Sequence, residues 1–333
     1  MDNSSGITIT QAIAQYLDSV EMSRSPNTAR AYRNAMNSFI DMLESRQILP
    51  TKTAVTLLSE DAIGWFAQDL KLLSSATEQL YLTAVAGFYD YLTAERLVEL
   101  NLPRVRLLIR RRARKPGVRL PQFPQSDIEK TIAYAADIVK VLYSNREELL
   151  INLRDRAFIL TLADTGLRVH EACGLRRGDI DWNEYKAVII GKGDRQAVVR
   201  FSKRSLDALR DYLRARAELD GGTRRPLSSL PLFARHDRGA GNKIKPITTA
   251  TGRNIVHQRV VEAIGEESAG TITPHSFRHY FVTTVLRGSG GNLKMAQELA
   301  RHRNIAVTQR YAHLSDDELD KGYDRIFEDH AEE

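Results

Sequence analysis

The sequence predicts a mainly α-helical protein of two domains, the second carrying a small antiparallel β-sheet. Three observations predict it. At 333 residues the chain exceeds one ordinary domain and is long enough to bury two sizeable cores. Apolar residues recur at helical spacing from Ile7 to about Arg96, with almost no strand signal. Only Asp181 to Phe201 gathers short β-branched runs around a glycine-flanked turn.

The N-terminal part reads as four helices. The first covers roughly Ile9 to Met22, and Ser25-Pro26-Asn27-Thr28 then breaks the chain and caps a second with the stripe Tyr32, Met36, Phe39, Ile40, Leu43. A third runs from about Ser59 to Leu72, and a fourth from Ser75 to Ala94 carries Leu80, Leu82, Val85, Phe88 and Leu92. These make an expected helical domain over 1–103. From Arg104 to Arg119 the chain has eight basic residues and no acidic one, with Pro116-Gly117 inside the run and Pro121 and Pro124 after it. A basic interdomain linker over 104–123, touching phosphates, is expected.

The second domain is expected over 124–333. Helices are expected near Pro124–Leu142, Leu149–Asp164, Lys203–Glu218, Thr249–Ile264, His275–Arg287 and Leu293–Ala300. Ala187-Val188-Ile189-Ile190, Gly191-Lys192-Gly193-Asp194 and Ala197-Val198-Val199 read as a hairpin. Gly221 to Pro246, rich in Gly, Pro, Arg and Ser, reads as a long surface loop. A last helix would carry Leu319, Tyr323, Ile326 and Phe327.

Composition narrows the class. A hydrophobic fraction of 42% with 27% charged residues excludes a disordered or fibrous chain. Lys plus Arg number 48 against 42 Asp plus Glu, an excess that suits a polyanionic partner. Cys173 is the single cysteine, which excludes an intrachain disulfide and a thiolate metal cluster and fits a reducing cytoplasm. Met1 to Thr10 has no basic region followed by an apolar core, and no apolar run approaches the roughly 20 residues that span a bilayer. A cytoplasmic protein without membrane contact is expected.

Four stretches carry candidate chemistry. In Thr165-Gly166-Leu167-Arg168-Val169-His170-Glu171, a glycine turn precedes Arg168, and Glu171 three residues on would steady the helix start or orient Arg168. Lys192 sits between two glycines at the hairpin tip, where an ammonium could enter a groove and give a proton to a leaving oxygen. Pro274-His275-Ser276-Phe277-Arg278-His279 puts His275 and Arg278 on one face near a helix N-terminus, where anions are favoured and the arginine fork matches phosphate oxygens. His302 and Tyr311 are nine residues apart, which on one unbroken helix is about 2.5 turns and opposite faces. A break is therefore required, and Asn304 can cap a new short helix carrying Tyr311.

The ordered set Arg168, Lys192, His275-x-x-Arg278, His302, Tyr311, with Thr-Gly-Leu-Arg-x-x-Glu, Gly-Lys-Gly, His-x-Phe-Arg-His and Thr-x-x-Tyr-x-His around it, resembles the tyrosine recombinase (phage integrase) family. The resemblance spans about Arg154 to Leu314, and the N-terminal domain resembles the family's core-binding domain only through Ser25-Pro26-Asn27-Thr28-x-x-x-Tyr32. One departure stands out, because the family usually reads Leu-Gly-His where this chain reads Ala300-Arg301-His302.

The resemblance implies an enzyme that cleaves and rejoins DNA through a 3′-phosphotyrosine on Tyr311. Arg168, Arg278 and His302 would stabilise the phosphate, His275 would take or position the phenol proton, Lys192 would protonate the 5′ oxygen, and Glu171 would support. No cofactor and no metal are expected. The partner would be double-stranded DNA carrying specific sites, bound by a dimer and brought together in a tetramer, the last helix packing in cis or in trans. Arg30, Arg33, Arg110, Arg111, Arg112, Lys115, Arg195 and Arg310 are the expected DNA contacts. The same residues leave two rivals, a DNA-relaxing type IB topoisomerase and a non-catalytic DNA-binding protein.

Overall fold

The computed structural model describes residues 6–114, 124–140, 145–191, 195–237, 239, 241 and 243–311. Lys115, Lys192 and the expected terminal helix lie outside the described residues, as does the side chain of Arg195. The chain divides after Arg119 into two compact units.

In the first unit, local sequence sets each helix start. Thr8 and Gln11 exchange hydrogen bonds across the first turn of α1 (Ile9–Ser23), a reciprocal cap. Ser25 accepts from the backbone of Thr28 ahead of α2 (Pro26–Ser45), and Ser74 does the same for α4 (Ser75–Ala94). α3 (Asp61–Asp69) tightens into a 3-10 turn over Leu70–Leu72. Met36, Phe39, Phe66, Val85, Phe88 and Tyr89 fill the core between them.

The basic stretch does not begin as a tether. Leu102–Arg112 is a fifth helix, α5, capped by Asn101 and packed on α3 and α4. Val105 is buried, with Leu102, Leu108 and Ile109 against the same core, so an apolar stripe runs beneath the arginines. Arg110, Arg111 and Arg112 fill the last turn, where positive charge meets the negative end of the helix dipole. Beyond it, Arg114 turns back to Glu78, which is fully buried and accepts from Lys71 Nζ (2.8 Å), the Arg114 amide (2.9 Å) and Arg114 Nε.

In the second unit α7 (Arg146–Thr165) runs through the core, buried on nearly every face from Leu150 to Thr165. α6 (Gln125–Asp137), α9 (Lys203–Ala215) and α12 (Pro274–Gly288) pack on it. The short α8 (Val169–Gly174) follows α7, and α11 (Thr249–Ile264) lies against α6 and α8. Strands β1 (Ile180–Asp181), β2 (Lys186–Gly191) and β3 (Arg195–Arg200) form an antiparallel sheet in the order β1-β2-β3, with Ile189 opposite Ala197. α13 (Leu293–Ala300) packs on α12, and α14 (Ile305–Gln309) on α13.

The expected surface loop from Gly221 to Pro246 is partly core. Leu230, Leu232, Phe233 and Ala234 are fully buried, and Phe233 meets Phe158 edge-on at 5.1 Å between centroids. Buried backbone needs partners. Arg216, itself fully buried and just ahead of α10 (Ala217–Gly221), donates to the carbonyls of Pro231 (2.9 Å) and Leu232 (3.1 Å), while the Tyr212 hydroxyl accepts from the Ala234 amide (3.1 Å).

No helix among the described residues is long and apolar enough to cross a membrane.

Glu78 generates a test. Burial would raise its pKa, but Lys71 and Arg114 outweigh burial and hold it at about 2, below the ordinary 4.5. The pair's stabilisation is therefore full above pH 4.5 and is lost as pH falls toward 2. Glu78→Gln is expected to destabilise the first unit by roughly 1.5–3 kcal/mol at pH 7. The gap to wild type should close on acidification, and denaturant unfolding at pH 7, 4 and 3 checks it: a gap independent of pH contradicts the ion-pair account.

Candidate active site

α7 ends at Gly166 with φ +59°, the left-handed region. A Cβ there would lie 2.4 Å from the Phe281 ring, so glycine is required for both its torsion and its space. That turn delivers Arg168 to the start of α8. Its amide donates to Glu171 Oε2 and its Nη1 to Glu171 Oε1, both at 2.9 Å, so the carboxylate both caps the helix and holds the guanidinium. Orientation of Arg168 and support of the helix start are one interaction.

Arg278 lies just past the first turn of α12, which Pro274 opens and Thr273 and Ser276 cap. It is 3% exposed and donates from Nη1 to the Gly166 carbonyl (2.5 Å) and from Nη2 to the Ala300 carbonyl. The ends of α7 and α13 are thus tied to one guanidinium. Burial, then the charges of Arg168 and Arg301, pull Arg278 down to about 10.

After α13 the backbone turns left-handed at Arg301, φ +58°. The chain restarts at Asn304, whose side chain caps α14 by accepting from the Ala306 amide (2.9 Å). The expected break between His302 and Tyr311 is therefore present and Asn304 caps the new helix, but α14 ends at Gln309, so Tyr311 lies in the turn just beyond it and not on the helix. His302 Nδ1 lies 2.9 Å from the Thr308 hydroxyl. The Tyr311 ring is 6.3 Å from that of His302 at 19° and 5.0 Å from that of His279, which is 4.4 Å from His275.

The fold thus brings Arg168, Glu171, His275, Arg278, His302 and Tyr311 into one region. Of the remaining expected residues, Arg30, Arg33, Arg110, Arg111, Arg112 and Arg310 are exposed, Arg33 in an ion pair with Glu21. Two residues absent from the expected set join it. His279 bridges His275 and Tyr311 by ring contact, a position its place one residue after Arg278 on the same helix turn could have signalled. Arg301 donates from Nη2 to Glu171 Oε2 (3.1 Å) and to the Gly166 carbonyl (3.4 Å). A non-glycine residue in the left-handed region costs about 1 kcal/mol.

The electrostatics are lopsided. Arg168 and Arg301 share one carboxylate, Glu171, with Arg278 bonded to backbone carbonyls beside them; the Glu171 pKa lies below the ordinary range because Arg301 and Arg168 outweigh its burial. All three imidazoles are neutral at neutral pH: burial, then Arg278, lowers His275 and His302, and burial, then His275, lowers His279. His279 and His302 reach about 4. The Tyr311 phenol is raised by burial, which Arg278 and Arg310 offset only in part. In the free protein the nearby cations therefore do not hold Tyr311 as a phenolate. Such a site holds net positive charge around neutral proton carriers, and an anion with several oxygens completes it.

Fold and cluster define a class, enzymes that pass a phosphodiester to a side chain and back. A family model described as "Phage integrase family" matches residues 134–318, and one described as "Phage integrase, N-terminal SAM-like domain" matches residues 13–96. A tyrosine recombinase XerC from Listeria monocytogenes serotype 4a is 31% identical over 318 residues, covering 95% of this chain and 96% of the relative. Another XerC, from Thermodesulfovibrio yellowstonii, is 27% identical over 94% of this chain and 95% of its own. Among solved structures, XerH bound to a palindromic difH substrate superposes with TM-score 0.64 at 18% identity, covering 97% of this chain and 90% of that one. The Tn1549 transposon integrase on transposon right-end DNA also gives 0.64 at 18%, covering 96% and 99%. The chain belongs to the phage integrase family of tyrosine recombinases and is a site-specific recombinase that breaks and rejoins DNA.

The lowered imidazoles give a pH window. Their folded pKa lies below the unfolded 6.5, so the unfolded chain binds more protons between 6.5 and about 4 and stability falls as pH drops through that range. Nuclear magnetic resonance of the DNA-free protein should show the His302 ring titrating near 4. A midpoint at 6.5 would remove His302 from the buried cluster.

Proposed function

We propose that this recombinase cuts one strand of a specific duplex site by attack of Tyr311 on the scissile phosphate, forming a 3′-phosphotyrosine and a free 5′ hydroxyl. The observation that carries the reading is the excess of buried guanidinium over carboxylate beside a neutral phenol. A phosphodiester is anionic and gains charge on its non-bridging oxygens during attack, which suits fixed arginine donors. In this reading Arg168 and Arg278 receive those oxygens, and His302, neutral and held by Thr308, donates a further hydrogen bond.

The proton balance follows. As the Tyr311 oxygen bonds to phosphorus, its proton passes to His275, whose neutral ring can accept it. The bond from phosphorus to the 5′ oxygen breaks, and Lys192 protonates that oxygen. Resealing reverses the steps with a 5′ hydroxyl as nucleophile, so the bond's energy is kept and neither ATP nor a metal is called for. Glu171 orients Arg168 and does not touch DNA.

Two copies would bind one site and four would join two sites. A lambda integrase dimer solved on a COC′ core site has the same fold, with TM-score 0.61 at 14% identity, which supports two copies on one site. Arg30, Arg33, Arg110, Arg111, Arg112, Lys115, Arg195 and Arg310 would meet phosphates. The last segment, with Leu319 and Phe327, lies outside the described residues and would pack in cis or on a neighbouring protomer, the second arrangement coupling cutting to assembly.

The test uses a nicked duplex bearing the sequence this protein protects from nuclease near its own coding region. Wild type should give a covalent protein–DNA adduct and Tyr311→Phe none; an adduct from the phenylalanine variant would move the nucleophile elsewhere. Lys192→Ala should slow cleavage of bound DNA while leaving affinity nearly intact, because one phosphate contact among many is lost. Replacing Arg110, Arg111 and Arg112 with Gln should lower the slope of log affinity against log salt by about 2–3. An unchanged slope would confine those arginines to the fold.

A further inference from the structure

The chain departs from its family's usual sequence inside this cluster, at Arg301, where the resemblance implies glycine. The left-handed backbone there is the conformation glycine adopts without strain. The arginine side chain does not escape to solvent. It folds inward, 11% exposed, with Nη2 on Glu171 Oε2 and the Gly166 carbonyl. Its Nε and Nη1 are buried with no hydrogen-bond partner among the described residues. It also stands close enough to Arg168 and Arg278 to depress Arg278. Strained backbone, unmet buried donors and neighbouring like charges each act against the fold, and they converge on one side chain.

We propose that Arg301 is a positioning residue for strand cleavage: it locks Glu171 from the side opposite Arg168 and so fixes the direction of the Arg168 guanidinium. Glu171 is the shared member, with Oε1 on Arg168 Nη1 and Oε2 on both the Arg168 amide and Arg301 Nη2. The Arg168 side chain is 45% exposed and needs an external hold, and a carboxylate pinned at both oxygens supplies one. The proposal rests on the reading that Arg168 and Tyr311 act on the scissile phosphate.

The experiment is single-turnover cleavage of the same nicked duplex at saturating protein, with affinity and Tm measured in parallel. Arg301→Gly should cleave bound DNA about tenfold more slowly with affinity within about threefold of wild type. Its Tm should not fall, since glycine relieves the left-handed turn, whereas a merely structural role would lower Tm along with activity. Arg301→Lys, which keeps a cation for Glu171, should recover part of the rate. In a Glu171→Gln background Arg301→Gly should add less than about twofold, because the route it acts through is already cut. A wild-type rate for Arg301→Gly, or a full further loss in the Glu171→Gln background, overturns the proposal. An adduct from wild type that Tyr311→Phe lacks keeps the underlying reading intact in either case, and its absence from wild type sinks both.

Discussion

Arg278 reaches the carbonyls of Gly166 and Ala300, the last turns of two helices more than a hundred residues apart in the chain, and it does so almost fully buried. A buried guanidinium without such acceptors would be strongly unfavourable. With them it becomes a rivet: the turn that presents Arg168 and the turn that leads to His302 and Tyr311 are held at one distance because both bond to the same planar group. The carbonyls that satisfy it are the orphan acceptors of helix C-termini, which carry partial negative charge. Structure and chemistry thus draw on one side chain.

That arrangement governs the protonation state around it. Burial disfavours the charged form of the imidazoles and the neighbouring guanidiniums add to that cost, so the imidazoles are neutral. The same charges favour an anion, yet Tyr311 is half-buried and its desolvation wins over their attraction. The free protein therefore holds a protonated phenol beside neutral imidazoles, the states the proposed nucleophile and proton acceptor start from.

Much of this was legible in the sequence, and the exceptions share a cause. The helices at Thr249–Ile264 and Leu293–Ala300 have the bounds that caps and apolar spacing indicate, and the break before Tyr311 follows from helical geometry alone. Local signals suffice where a structure is locally determined. α5 was obscured because its arginines outweigh an apolar stripe that is present at Leu102, Val105, Leu108 and Ile109. The buried run at Leu230–Ala234 depends on Arg216 and Tyr212 supplying its backbone partners, a non-local fact that loop composition hides. Arg301 was visible as a departure, but the direction of its side chain is a tertiary fact.

The donor count bears on how the cluster meets DNA. A guanidinium offers five N–H donors in a plane. Arg278 gives one from each terminal nitrogen to the two carbonyls, and Arg168 gives one side-chain donor to Glu171, so both retain donors on a second edge. A scissile phosphate presents two non-bridging oxygens, which two forks can meet together. Because the inner edges are fixed by carbonyls and by a carboxylate, the outer edges need little reorganisation when the phosphate arrives, and preorganised donors of this kind favour the charge that develops during attack over the charge present before it. In the proposed mechanism the backbone bonds of the rivet are in this sense part of the catalytic apparatus, although none of those atoms would meet the substrate.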